Sequence, residues 1–189
     1  MSGGRIVAMG GYAGESRLLD RHLLSLTGHD RPRICYLPTA GGDAAEPIEL
    51  FLKRFADGAE ASVLSLFRRD VEDLSAFLLD QHVIYVGGGN TANMLAVWRV
   101  HGVDAVLREA WMRGIVLCGP SAGANCWFEA CSTDSFGAGL APLLDGLGFL
   151  EGSFCPHYDG EPQRQPTFTR WVAEGALPPG WAADDGVAL

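Results

Sequence analysis

Short apolar runs that end in glycine recur along this chain, and a helix-length pattern follows most of them. Residues 5–9 run into Gly10-Gly11, and 33–37 run into Pro38-Thr39-Ala40-Gly41-Gly42. Residues 82–86 run into Gly87-Gly88-Gly89-Asn90-Thr91, and 115–118 run into Gly119. These runs read as strands, with a shorter one at 62–67. Helical patterns are predicted at 16–26, 47–55, 71–79, 92–99 and 103–112. Strands alternating with helices of this length imply an α/β fold: a three-layer sandwich with a mostly parallel sheet. Ligands of such sheets bind beyond the carboxyl ends of the strands, so the four glycine-bearing loops are where chemistry is expected.

The fourth loop is the most specific. In Gly119-Pro120-Ser121-Ala122-Gly123 a serine sits between glycines where a buried strand meets a helix predicted to continue to about residue 130. That is the pattern of a nucleophile elbow, a turn so tight that only small flanking residues avoid clashes. The serine hydroxyl is pushed out at the sheet edge. The following amide, that of Ala122, points from a helix N-terminus toward a developing oxyanion.

A serine nucleophile needs a base, and the chain has five histidines: His22, His29, His82, His101 and His157. The first four fall on helices, turns or a strand start, where surface or structural histidines are common. His157, in Pro156-His157-Tyr158-Asp159-Gly160, closes a short apolar run just before a turn, where a strand-end catalytic group belongs. The acid that would orient it is open among Asp134, Asp159, Asp184 and Asp185, all in turn-like contexts. Gly87-Gly88-Gly89 lets backbone N–H groups approach a ligand unobstructed. It lacks the lysine and spacing of a phosphate loop, so beside the elbow it reads as the second half of an oxyanion hole.

Composition narrows the class. A chain of 189 residues with 48% hydrophobic content is most simply one domain, 1–189. A net charge of −9 argues against nucleic acid as a partner. No apolar run approaches the roughly 20 residues of a membrane span, and the N-terminus does not read as a signal peptide, so a cytoplasmic protein is expected. The five cysteines fit neither a C-x-x-C motif nor an even disulfide framework, and read as buried reduced thiols. No metal-ligand spacing is present, and no cofactor is called for. From residue 137 the pattern turns irregular and reads as loops over an active site. Val187-Ala188-Leu189 reads as a strand beginning, with the expectation that the native chain is longer.

With Val-Gly-Gly-Gly-Asn-Thr at 86–91, Gly-Pro-Ser-Ala-Gly-Ala-Asn at 119–125 and Pro-His-Tyr-Asp at 156–159, the chain resembles the peptidase E family of serine peptidases, which includes aspartyl dipeptidase and the cyanophycinases. The resemblance implies a fold like the class I glutamine amidotransferases. It also implies cofactor-free hydrolysis of small peptides, above all dipeptides with N-terminal aspartate. It puts the nucleophile at Ser121, the base at His157 and oxyanion donors at Gly88 and Ala122. Gly89 and Asn90 are expected beside the substrate. For the acid it favours Asp134, with Asp185 and Asp159 as the alternatives that cyanophycinase-like and amidotransferase-like relatives imply. Arg164, with Arg170 second, is the arginine expected to grip the substrate's aspartate carboxylate. Two other readings stay open: an esterase of the α/β-hydrolase type, and a non-catalytic small-molecule binder on the same fold. Whether the chain acts alone or as a homodimer also stays open.

Overall fold

The computed structural model describes residues 4–12 and 17–189. Five strands, β1 (Ile6–Met9), β2 (Arg33–Leu37), β3 (Glu60–Val63), β4 (Val83–Val86) and β5 (Val116–Pro120), form a parallel sheet in the order β1-β5-β4-β2-β3. Every residue of β4 and β5 is buried, which is why these strands read as unbroken apolar runs rather than alternating ones.

Side chains alternate across a strand, and here the alternation sorts them into two cores. Val7, Met9, Ile34, Tyr36, Val83 and Tyr85 pack under Leu23 of α1 (Leu18–Ser25) and Phe51 and Phe55 of α2 (Ala45–Phe55). Ala8, Cys35, Leu37, Ile84, Val86 and Leu117 face the opposite way. They meet α3 (Leu74–Leu79), α4 (Thr91–His101) and α5 (Val103–Met112) through Leu78, Trp98 and Leu107. This is the expected three-layer sandwich. The predicted helix at 16–26 is observed as α1, and its start at Ser16 lies outside the described residues. The predicted helix at 71–79 begins later, at Leu74, where the Asp73 carboxylate accepts from the Ala76 N–H at 2.9 Å and caps it.

The chain departs from its sequence pattern after the elbow. The helix predicted to reach residue 130 is α6 (Ala122–Asn125), four residues long, and β6 (Phe128–Thr133) follows at once. Packing overrides the helical continuation. Trp127 is fully buried against Trp98 and Phe149, and Phe128 stacks on Phe154 with centroids 4.9 Å apart. The stretch read as loops instead holds β7 (Ala141–Leu143), β8 (Leu150–Cys155), α7 (Arg164–Ala173) and β9 (Gly180–Ala182). With β6 they form a second sheet, ordered β7-β6-β8-β9, in which only the β6–β7 pair is antiparallel. Residues 187–189 pair back onto β1: the Ala8 N–H donates to Leu189 and the Leu189 N–H to Ala8. Among the described residues no helix is long and apolar enough to cross a membrane.

Candidate active site

The two glycines of the elbow are there for close packing. A Cβ at Gly119 or at Gly123 would lie 2.2 Å from the Val86 carbonyl oxygen, so both positions press on the end of β4. Between them Ser121 takes φ 55° and ψ −115°, a conformation that a side-chain-bearing residue holds only under strain. Its N–H donates to Met9 at the end of β1 (3.2 Å), and its carbonyl accepts from Ala124 (2.9 Å) and Asn125 (2.8 Å). Ser121 stays half-buried while Ala122 to Asn125 are buried, so the hydroxyl-bearing residue is the one the turn leaves open.

Strand register explains the histidine and its acid. β8 and β9 are parallel, with Cys155 opposite Ala182. His157 and Asp185 therefore leave the same sheet edge within a residue of each other. His157 Nδ1 lies 2.7 Å from Asp185 Oδ1, and both side chains are about a quarter to a third exposed, 24% and 30%. A carboxylate only accepts, so the contact seats a proton on Nδ1 and leaves Nε2 with its lone pair. His157 also holds a positive φ, 50°. The Asp159 carboxylate accepts from the Asp185 N–H at 2.9 Å and fixes the backbone that carries the acid.

The end of β1 ties the two halves together. The His157 N–H donates to the Gly10 carbonyl and the Gly186 N–H to that of Gly11, while Ser121 hangs from Met9. A Cβ at Gly11 would lie 2.0 Å from Asp185 Oδ1 and 2.6 Å from the His157 ring. One at Gly160 would lie 2.4 Å from Asp185 Oδ2. Gly10-Gly11 is thus the spacer against which the His157–Asp185 pair is seated. The sequence showed it only as a strand-end glycine pair. Gly11→Ala is expected to displace that pair and lower kcat about 10²-fold, the loss typical of a roughly 1 Å misplacement. Steady-state kinetics, with circular dichroism to confirm folding, checks this.

The other candidates fall differently. The favoured acid, Asp134, is exposed at the end of β6, and among the described residues nothing hydrogen-bonds to its carboxylate. The carboxylate on His157 is that of Asp185, because parallel pairing of β8 with β9 is a long-range contact that sequence spacing does not reveal. Gly88 lies against the elbow, where a Cβ on it would be 3.6 Å from that of Ser121. Among the described residues nothing accepts from the N–H groups of Gly88, Gly89 or Ala122. Gly89 has φ 135°, and a Cβ there would meet the Ala40 carbonyl oxygen at 2.3 Å. The Asn90 amide is committed to the fold: Oδ1 caps α4 by accepting from the Asn93 N–H, and Nδ2 donates to Ser135.

Arg164 is not a loop arginine. It is 3% exposed at the start of α7, with Nε donating to Glu161 (2.8 Å) and Nη1 to the Ser132 carbonyl (3.1 Å). Arg170 is exposed in the last turn of the same helix. All five cysteines are buried and unpaired. Burial pushes the Cys35 and Cys131 thiols up to about 12 and that of Cys155 up to about 11, while Cys118 and Cys126 are also raised by it. No thiol is therefore poised to act as a nucleophile. Away from the site, His82 accepts from the Arg33 N–H and stacks on His29, a structural role. Among the described residues no group of three or more histidine, cysteine or acidic side chains is arranged to hold a metal ion.

The chain is similar to known peptidases over nearly its whole length. It is 47% identical to the peptidase YgaJ of Bacillus subtilis over 98% of this chain and 82% of that one. It is 28% identical to peptidase E of Shewanella denitrificans over 82% and 68%. A solved peptidase structure from an acI-B1 actinobacterium superposes with a TM-score of 0.67 at 21% identity, over 99% of this chain and 82% of that one. A Listeria monocytogenes structure superposes with 0.68 at 20% identity, over 92% and 88%. Those two likenesses speak for the fold. The sequence profile of peptidase family S51 matches residues 6–189, and this chain belongs to that family of peptidases.

Proposed function

We propose that this protein is a serine-type peptidase that hydrolyses small peptides through an acyl-enzyme on Ser121. The observation that carries the reading is the convergence around the end of β1: a serine held at φ 55°, a histidine whose Nδ1 is held by Asp185, and N–H groups at Gly88 and Ala122 that have no acceptor among the described residues.

In this mechanism His157 Nε2 takes the Ser121 proton as the hydroxyl attacks the scissile carbonyl. The Gly88 and Ala122 N–H groups hold the tetrahedral oxyanion, each worth on the order of 3 kcal/mol. Asp185 stabilises the imidazolium that forms. His157 then protonates the departing amine, and water attacks the acyl-enzyme with the same histidine as base. A fluorophosphonate is expected to label Ser121 alone, read by peptide mass spectrometry. Dipeptides are expected to be turned over faster than p-nitrophenyl acetate; the reverse order would favour an esterase.

A preference for N-terminal aspartate would rest on Arg164, and the burial of that guanidinium supports a structural part instead. Arg164→Ala strips the Ser132 carbonyl and Glu161 of a donor, which costs about 1–3 kcal/mol of stability. Urea unfolding measures this. A variant of unchanged stability that lost only turnover of Asp-X dipeptides would restore the carboxylate role.

A further inference from the structure

Beside Gly88, on the face of the sheet covered by α2, lies a cavity of about 390 Å³. Tyr12, Tyr36, Pro47, Leu50 and Phe51 supply its walls, and Gly88 lies at its edge. Tyr36 and Phe51 are stacked with centroids 4.5 Å apart, and Phe51 is 5% exposed, so this wall is firm. Burial pushes the Tyr36 hydroxyl up to about 12, which keeps it neutral. Among the described residues one cation borders the cavity, Arg54, and it is already taken. Its Nε and Nη2 lie 2.6 and 2.9 Å from the two oxygens of Asp20, a carboxylate that is itself 6% exposed.

We infer that this cavity receives a bulky apolar or aromatic side chain, such as leucine or phenylalanine, from a residue flanking the scissile bond. The inference rests on the Ser121 reading above. Gly88 makes the connection: it adjoins the Ser121 Cβ on one side and the cavity on the other. A substrate whose carbonyl oxygen sits on the Gly88 N–H brings a neighbouring side chain to the cavity mouth. There a hydrocarbon or ring loses water against tyrosine, leucine and phenylalanine, which is favourable. A substrate aspartate would lose its hydration facing an arginine already neutralised by Asp20, which is costly. Leu50 is the residue to probe, because it lines the cavity and is yet 60% exposed, so its replacement spares the core.

The test is a panel of dipeptides in which each position in turn is Ala, Leu, Phe or Asp, run on the wild type and Leu50→Asp. Leu or Phe is expected to exceed Ala at one of the two positions by about ten- to a hundredfold in kcat/KM. Leu50→Asp, shown folded by circular dichroism, is expected to lose most of that advantage. Turnover with no apolar preference at either position, or a preference that Leu50→Asp leaves intact, overturns the assignment of the cavity and spares the peptidase. Failure of every peptide together with no fluorophosphonate label on Ser121 overturns the Ser121 reading, and this one with it.

Discussion

Ser121→Ala is expected to lower kcat for peptide hydrolysis by about 10⁴- to 10⁶-fold, the loss seen when the nucleophile of a serine triad is removed. Stability should not follow activity down. Alanine keeps the Cβ, so the strain of φ 55° is the same, and the backbone bonds to Met9, Ala124 and Asn125 do not involve the hydroxyl. Unfolding free energy should stay within ~0.5 kcal/mol of wild type. A second variant separates function from folding. Ser121→Gly removes both hydroxyl and Cβ, so it should be equally inactive while relieving strain worth on the order of 1 kcal/mol. Paired kinetics and urea titrations read both effects. Appreciable turnover by the purified alanine variant would remove Ser121 from the mechanism.

Asp185→Asn should cost nearly as much, about 10⁴-fold in kcat, with little change in KM. The substitution is isosteric. Its amide, however, can turn an N–H toward Nδ1 of His157 and hold the imidazole in the tautomer that blunts Nε2 as a base. Asp134→Asn, at an exposed carboxylate that His157 does not use, should leave kcat nearly unchanged. Asp159→Asn should fall between them, since Asp159 acts only by holding the Asp185 backbone. The order of the three rates is the measurement. A larger loss at Asp134 than at Asp185 would reassign the acid.

Much of this was readable from the chain because it depends on neighbours in sequence. The alternation of apolar runs with helical patterns yields the layered α/β fold, since the central strands β4 and β5 are buried on both faces and each crossover is a local event. Gly119, Ser121 and Gly123 announce a tight turn, because a serine between two glycines at a strand end is a pattern of five residues, even though the atom that excludes a Cβ at both glycines is the distant Val86 carbonyl oxygen. His157 stands out at the end of an apolar run for the same reason.

What the sequence concealed is what two distant segments do to each other. β6 replaces a continued helix because Trp127 and Phe128 find Phe149 and Phe154, partners supplied by the residue just before the later β8 and by β8 itself. Asp185 meets His157 because β9 joins β8 in parallel register, 28 residues along the chain. Arg164 is buried through a carbonyl of β6, and the apolar cavity beside Gly88 exists only when β1, β2 and α2 are brought together. The sequence by itself determined the layered α/β architecture, the strained serine turn and the strand-end position of the histidine, since each is set by sterics and periodicity over a few residues. Tertiary structure decided which carboxylate meets His157 and what lines the cavity, because hydrogen bonds and buried surface form between whatever chain segments the strand order makes adjacent.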